Sequence, residues 1–404
     1  MVGDRNWSIA KKTSNENSFA TRHKIVNFAI RASLALLALP LFQPAQAPGI
    51  DLADYEGDSG FTAKIDGKDV RVVMSPRWPD SYFVGGDGST KNVLVDGKSV
   101  VKVAFREGGK ETLYPNTDAV LGLDGLKKMC IVIDPIWEKM EVLPSTKIGL
   151  AGAKEYFSRL PAWGSPAKIV RIPLTSSDSG APMISPTIDG QVTPLLFNLS
   201  LYNTMIDEKV KHPQDPVGPD DWSFLPSVSY PGLAPAWFSY SAEADWDAAA
   251  EGGNGMIALD TFVSRKVIVD LADDAVYVEE LAPDARLALS FYRIIGLPVS
   301  IVGDTLKVAA MPGVIEEDGV GELNGCKVVS LARIPAAEWL SDLRVKTPGA
   351  AARISKRAPL FDKKFEVTVI QPDGTQKTVT IDGSDNGGSN SALKGLSRHL
   401  KLSH

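Results

Sequence analysis

The sequence predicts a mainly β protein, in which two copies of one β unit precede a smaller C-terminal domain. Three observations carry that reading: a residue pattern that recurs at fixed spacing, Asp-Gly turns set between β-branched runs, and a change of character after Leu281. The first copy opens with Ile65-Asp66-Gly67 and, ten residues after that Ile, reaches Ser75 within Val72-Val73-Met74-Ser75-Pro76-Arg77. The second opens with Ile188-Asp189-Gly190 and, at the same interval, reaches Asn198 within Leu195-Leu196-Phe197-Asn198-Leu199-Ser200. Later anchors recur too. Val120-Leu121-Gly122-Leu123-Asp124 runs to Ile131-Val132-Ile133-Asp134, and Met256-Ile257-Ala258-Leu259-Asp260 runs to Val267-Ile268-Val269-Asp270. The early anchors are offset by 123 and the late ones by 136, so the second copy holds a net insertion of 13 residues.

In chain order, residues 1–47 read as a secretory signal peptide. Arg22, Lys24 and Arg31 precede an apolar run over 32–42, and Ala45-Gln46-Ala47 supplies a small-x-small cleavage site. The run is short for a membrane span; an uncleaved N-terminal anchor is the other reading. Cleavage after Ala47 implies a periplasmic or secreted chain with no integral membrane span. Residues 48–145 then form the first lobe and 184–283 the second. A connector, 146–183, lies between them with one short helix near 151–160. Val93-Leu94-Val95, Asp96-Gly97-Lys98 and 100–105 have the chemistry of a tight hairpin.

The second copy's extra length falls in 207–250, where Pro213, Pro216, Pro219, Pro226, Pro231 and Pro235 alternate with Trp222, Phe224, Tyr230, Trp237, Phe238, Tyr240 and Trp246. Prolines of that density predict a stretch without regular ladders, and the aromatics predict burial of some kind. The loop either packs on its own barrel or forms an aromatic lip over a cleft. Residues 290–382 form the C-terminal domain: a strand at 306–308, a strand-turn-strand at 321–329, a helix over 334–343 with Pro335 in its first turn, and a final hairpin, 365–370 with 377–381. The tail 383–404 is rich in Gly, Ser and Asn and reads as disordered.

Charge and residue inventory exclude several functions. Residues 1–47 hold six basic and two acidic residues, so their removal takes the net charge from −6 to −10. An acidic domain of that kind is a poor partner for nucleic acid. The remaining histidines are His212, His399 and His404, too few for His-based triads or His-rich metal sites. No cofactor and no metal are expected. Cys130 lies in an apolar run and reads as a buried free thiol, although a long-range disulfide with Cys326 stays open.

The doubled set resembles the aspartic proteases, more narrowly the bacterial retropepsin-like group that carries a C-terminal PDZ domain. The resemblance covers about 61–280 and implies two duplicated acid-protease-like β-barrel lobes. In that family each lobe offers an apolar strand ending in Asp-Thr-Gly-Ala-Ser. Ser75 stands at the Asp position of the first lobe, followed by Pro76, Arg77 and Trp78, and Asn198 stands there in the second, followed by Leu199, Ser200 and Tyr202. The family mechanism needs two carboxylates that share one proton, one acting as base on water and the other as acid. A hydroxyl and an amide cannot exchange that proton. The glycine is missing from both turns as well, with Arg77 and Ser200 in its place.

Asp124, Asp134, Asp260 and Asp270 read as hydrogen-bonding residues at strand ends, and Ser75 has no histidine nearby to activate it. Residues 290–382 resemble a divergent PDZ domain through Ile294-Ile295-Gly296-Leu297-Pro298-Val299 and Leu323-Asn324-Gly325, which implies peptide capture by β-augmentation. The candidate binding residues are Trp78, Ser200, Tyr202, Trp222 and Trp237 in the body and Ile295, Gly296, Leu297 and Trp339 in the PDZ-like domain. The expected function is a pseudoprotease that binds a peptide or protein. An active aspartic endopeptidase with an unrecognised dyad and a structural envelope scaffold are the alternatives.

Overall fold

The computed structural model describes residues 49–381 except 56–57, 96–99, 109–115, 136–137, 161–167, 189, 200–203, 208–221, 244–251, 296, 298, 310–320, 346, 358–359 and 362–363. The segment expected to be a signal peptide, 1–47, and the tail from 383 lie outside the described residues. Among those described, no helix is long and apolar enough to cross a membrane. The fold is mainly β and contains a closed β-barrel.

The chain opens with β1 (Ile50–Asp51), β2 (Ala53–Tyr55), β3 (Asp58–Ile65), β4 (Lys68–Met74), β5 (Ser81–Phe83), β6 (Thr90–Leu94), β7 (Val100–Glu107), β8 (Ala119–Leu121), α1 (Leu123–Leu126), β9 (Cys130–Asp134) and β10 (Lys139–Leu143). At the β3–β4 turn Asp66 and Gly67 both take positive φ, 50° and 80°, as a two-residue hairpin turn requires. The barrel runs β3-β4-β8-β5-β7-β6 and closes where Lys64 and Ile65 pair with Leu94 and Val93. Strand β7 shows why these residues form a barrel wall: Val101, Val103 and Phe105 are buried while Lys102, Ala104 and Arg106 face out.

Next come α2 (Gly149–Ser158), β11 (Lys168–Pro173), β12 (Thr175–Ser176), β13 (Pro182–Ile184), β14 (Thr187–Ile188), β15 (Gln191–Val192), β16 (Leu195–Phe197), β17 (Met205–Asp207), β18 (Trp222–Ser229), β19 (Ala236–Glu243), β20 (Gly255–Ile257), β21 (Val267–Asp270) and β22 (Ala275–Glu280). A nine-stranded sheet, β12-β13-β16-β20-β17-β19-β18-β14-β15, repeats three pairings of the barrel. Strands β4 and β8 pair in parallel, as do β16 and β20. Antiparallel β5–β8 is matched by β17–β20, and parallel β5–β7 by β17–β19.

The expectation of no regular ladder over 207–250 is corrected. Strands β18 and β19 form an antiparallel hairpin, with Trp222 opposite Ser241 and Leu225 opposite Phe238. The register shifts between Leu225 and Val228, at Pro226, so the ring without an N–H falls in a bulge. Pro231 and Pro235 lie in the connecting turn, where no ladder donor is needed.

A six-stranded sheet, β1-β10-β9-β21-β22-β11, joins strands from the barrel half of the chain with strands from the half that forms the nine-stranded sheet. Its centre is nearly two-fold, because Ile131, Val132 and Ile133 pair with Val269, Ile268 and Val267. All five residues of β9 are buried, which explains why it reads as an unbroken apolar run. Ile131 and Ile133 join the main core shared by the barrel and the nine-stranded sheet, while Cys130 and Val132 face Ala153 and Phe157 of α2. Both cysteines are free and buried.

The C-terminal part holds α3 (Pro283–Ile295), β23 (Val299–Val302), β24 (Thr305–Val308), β25 (Lys327–Leu331), β26 (Ile334–Pro335), α4 (Ala336–Val345), α5 (Pro348–Arg357), β27 (Phe365–Ile370) and β28 (Gln376–Ile381). Its sheet runs β23-β24-β25-β27-β28, with β26 on β25. Pro335 precedes the first helical turn instead of lying in it, and Ile294-Ile295 close α3 instead of forming a loop. The basic stretch after 344 contains α5, and α3 starts ahead of the expected boundary at 290.

Candidate functional site

Ser75 follows the last residue of β4 and Asn198 follows the last residue of β16, so each sits where an inner strand leaves its sheet. Both are buried, at 0% and 2% exposure. The Ser75 N–H donates to Leu121 O at 3.0 Å, and the Asn198 N–H donates to Ile257 O at 3.1 Å. Beneath each loop a hydroxyl holds the neighbouring strand. Gly122 N–H donates to Ser81 Oγ at 3.0 Å, and Ala258 N–H donates to Thr204 Oγ1 at 2.9 Å. Ser81 Oγ in turn donates to Asp124 Oδ1 at 2.7 Å, whereas Thr261 Oγ1 donates to Ala258 O at 2.7 Å. These bonds satisfy backbone groups that burial would otherwise leave costly.

The first loop is packed tightly. Trp78 N–H donates back to Ser75 O at 3.1 Å, and Trp78 O accepts from Leu123 N at 2.6 Å. A Cβ added at Gly122 would lie 2.2 Å from Asp80 O and 2.7 Å from Trp78 O, so this position admits only glycine. The half-buried Trp78 ring meets Tyr82 edge-on, with centroids 5.2 Å apart, over the outward faces of Val73 and Val120.

Met256, on β20, is where the two loops converge. Its Sδ lies 3.6 Å from Arg77 Nη1 and 4.0 Å from Asn198 Nδ2. Arg77 Nη2 also lies 3.7 Å from Asp58, a carboxylate only 1% exposed. A guanidinium, an amide and a thioether therefore face one another there. None of the three can exchange a proton near neutral pH, and a thioether accepts only weakly. The partly exposed Arg77 guanidinium thus sets a cation beside the buried Asp58 carboxylate. Neither Asp58 nor Met256 stood out in the sequence as part of the site. Arg77 did, as a missing glycine, but nothing local to its segment signals a contact 179 residues away.

The remaining predicted residues fall in different places. Trp237 is buried and donates its indole N–H to Leu343 O at 2.7 Å, tying β19 to the end of α4. Trp339 is fully buried between Phe291 and Phe361, with centroids 5.8 and 5.5 Å away, and the Arg357 guanidinium stands 5.4 Å over its ring. Leu297 is 1% exposed. These three, expected to meet a ligand, are core residues of one cluster, and α3 and α5 pack on β19 and β18 where a lip was the other expectation. The backbones of Trp222 and Ile295 belong to β18 and α3. Ser200, Tyr202 and Gly296 lie outside the described residues.

Among the strand-end carboxylates, Asp124 accepts the Ser81 hydroxyl and Asp270 is tied to backbone. Asp270, at the end of β21, is fully buried and accepts Ile148 N–H at 2.9 Å through Oδ2. Burial raises its pKa above the ordinary carboxylate value against the opposing pull of backbone N–H groups. Burial first, and then Asp270 and Asp273, push the Cys130 thiol far up, which makes it inert as a nucleophile. Among the described residues, no three His, Cys, Asp or Glu side chains gather as metal ligands.

No protein-family model and no curated protein matches the chain. Among solved structures, an aspartic proteinase from Irpex lacteus is similar at 10% identity and a TM-score of 0.34, over 60% of this chain and 99% of that one.

Proposed function

We propose that this is a periplasmic or secreted pseudoprotease: two duplicated acid-protease-like lobes that have lost proteolysis, followed by a PDZ-like module, with a peptide or protein as ligand. One observation supports it above the others. The backbone hooks that would hold a catalytic loop recur at Ser75 and Asn198, while the side chains that meet at Met256 are a guanidinium and an amide. Keeping the frame while losing both carboxylates is what a site kept for shape would do. In the aspartic-protease mechanism two carboxylates sharing a proton drive water onto the amide, and neither loop position supplies one.

The test is cleavage of a diverse peptide library by residues 48–404 from acid to neutral pH, alongside the Ser75→Asp plus Asn198→Asp variant. No cleavage by the natural chain is expected, together with saturable retention of a subset of the peptides. Turnover by the natural chain, stopped by a transition-state mimic of aspartic proteases, would overturn the reading. Retention of no peptide and no protein partner would leave the scaffold role in its place.

A further inference from the structure

Charge is spread unevenly along this chain. Residues 344–364 hold seven basic residues and one acidic, and residues 386–404 hold three basic residues and no acidic one. Together they carry +9, so the rest of 48–404, whose total is −10, carries −19. Two separate basic stretches in an otherwise acidic chain point to an anionic partner.

The first stretch covers α5 and its connection to β27. Part of its charge is already used. Arg344 pairs with Asp304, Arg353 with Asp342, and Arg357 with both Asp342 and Glu338. Setting those three carboxylates against the stretch still leaves it at +3. Lys356, in the last turn of α5, is exposed, and three residues beyond the helix Leu360 is 44% exposed. A cation and a large apolar side chain thus reach solvent close together in the chain.

The tail begins beside this surface. Ile381, the last residue of β28, pairs with Phe365, whose ring meets Phe361 with centroids 4.8 Å apart, and Phe361 follows Leu360. Residues 382–391 then lead to the leucine-rich end of the second basic stretch. There Leu393, Leu396 and Leu400 fall at i, i+3 and i+7, and Lys394, Arg398 and Lys401 at i, i+4 and i+7. On a helix those two sets take different faces. So short a segment is a marginal helix in water, and it gains order at an interface where leucines leave water and cations meet negative charge. A nucleic acid would satisfy the cations but give Leu360 and the tail leucines nothing, which favours a lipid surface.

We propose that the end of α5 with Leu360 and the tail over 392–404 form one docking surface for an anionic phospholipid bilayer, bound peripherally and not spanned. The cations of both stretches meet the headgroup phosphates, and the leucines enter the boundary of the acyl chains. The contact involves neither Ser75 nor Asn198 and stands whether or not the body binds peptides.

The test is flotation of residues 48–404 with vesicles of phosphatidylglycerol and phosphatidylcholine in equal parts, with pure phosphatidylcholine vesicles and a short DNA duplex as controls. Binding to the anionic vesicles alone is expected, and it should weaken as salt rises. Each cation near an anionic surface contributes about fivefold. Replacing Lys394, Arg398 and Lys401 together by Gln should therefore weaken binding about a hundredfold. Lys356→Gln with Leu360→Ser changes only exposed positions and should weaken it about tenfold. Equal binding to neutral vesicles, no binding to either kind, or DNA held as tightly as the anionic vesicles would overturn the proposal. Undiminished binding in either variant would overturn it too, since the two stretches would then not share one surface.

Discussion

The loop after β4 and the loop after β16 hang from the same hooks but are packed differently. In the first, Gly122 must be glycine because two carbonyls crowd its Cβ position. At the corresponding place near the second loop stands Ala258, buried and accommodated. The crowding is exchanged at another pair: Ala119 occupies β8, while Gly255 in β20 has φ of +136° and a Cβ site 2.1 Å from Met205 O. Both places have a hydroxyl under the strand, Ser81 in one and Thr204 in the other. What the two loops share is backbone hydrogen bonding, which tolerates changes in side chain. Close packing is local and differs between them.

The sharpest way to break that comparison is to exchange the residue types. Gly122→Ala should destabilise by about 3 kcal/mol, since overpacking against backbone cannot be relieved by a rotamer change. Ala258→Gly should cost only about 1 kcal/mol, the added freedom of the unfolded chain plus a lost methyl. Urea unfolding followed by far-UV circular dichroism measures both. Equal losses would show that the two loops are packed alike and that the asymmetry is not energetic.

Arg77 supplies the next test, because the residue at the same interval after Asn198 is the much smaller Ser200. Arg77→Met removes the cation 3.7 Å from a carboxylate that is 1% exposed. Loss of one member of a buried pair costs several kcal/mol, and the partial exposure of Arg77 lowers that to about 2 kcal/mol. Adding Asp58→Asn should restore part of the loss, because no uncompensated charge then remains. If the double variant is as unstable as the sum of the singles, Arg77 acts through packing on Met256 and not through Asp58.

Much of this was legible before any coordinates. The spacing of Ile65, Ser75, Asp124 and Asp134 against Ile188, Asn198, Asp260 and Asp270 set the equivalent strands, because strand registers follow from hydrophobic anchors and turn chemistry within short windows. Hairpins around Asp66-Gly67 and Asp373-Gly374 were legible for the same local reason. The hairpin of β18 and β19 was not, since proline counts say where ladders are discouraged but not which prolines fall in bulges or turns. Helix α3 had its own signal in Pro283-Asp284 followed by Leu287, Leu289 and Phe291, and the expected boundary at 290 cut through it. The meeting of Arg77, Asn198 and Met256, like the burial of Trp237, depends on contacts far apart in sequence, which no window of residues contains.

The gentlest probe compares the two strand-end carboxylates. Asp134 is 7% exposed and Asp270 fully buried, and only the latter accepts the N–H of Ile148 at the entry to α2. Burial raises the Asp270 pKa in the folded state. A folded-state pKa above the unfolded one adds stability that is complete below the ordinary carboxylate value of 3.8 and is lost as pH rises through the raised value. Asp270→Asn keeps an oxygen for Ile148 N–H and removes the titration. The advantage of the natural chain over this variant should therefore be greatest near pH 4 and shrink toward pH 7 in thermal unfolding, an effect smaller than either substitution above. An advantage that grows with pH would mean that the charged carboxylate is the stabilising form, held by its backbone donors against burial.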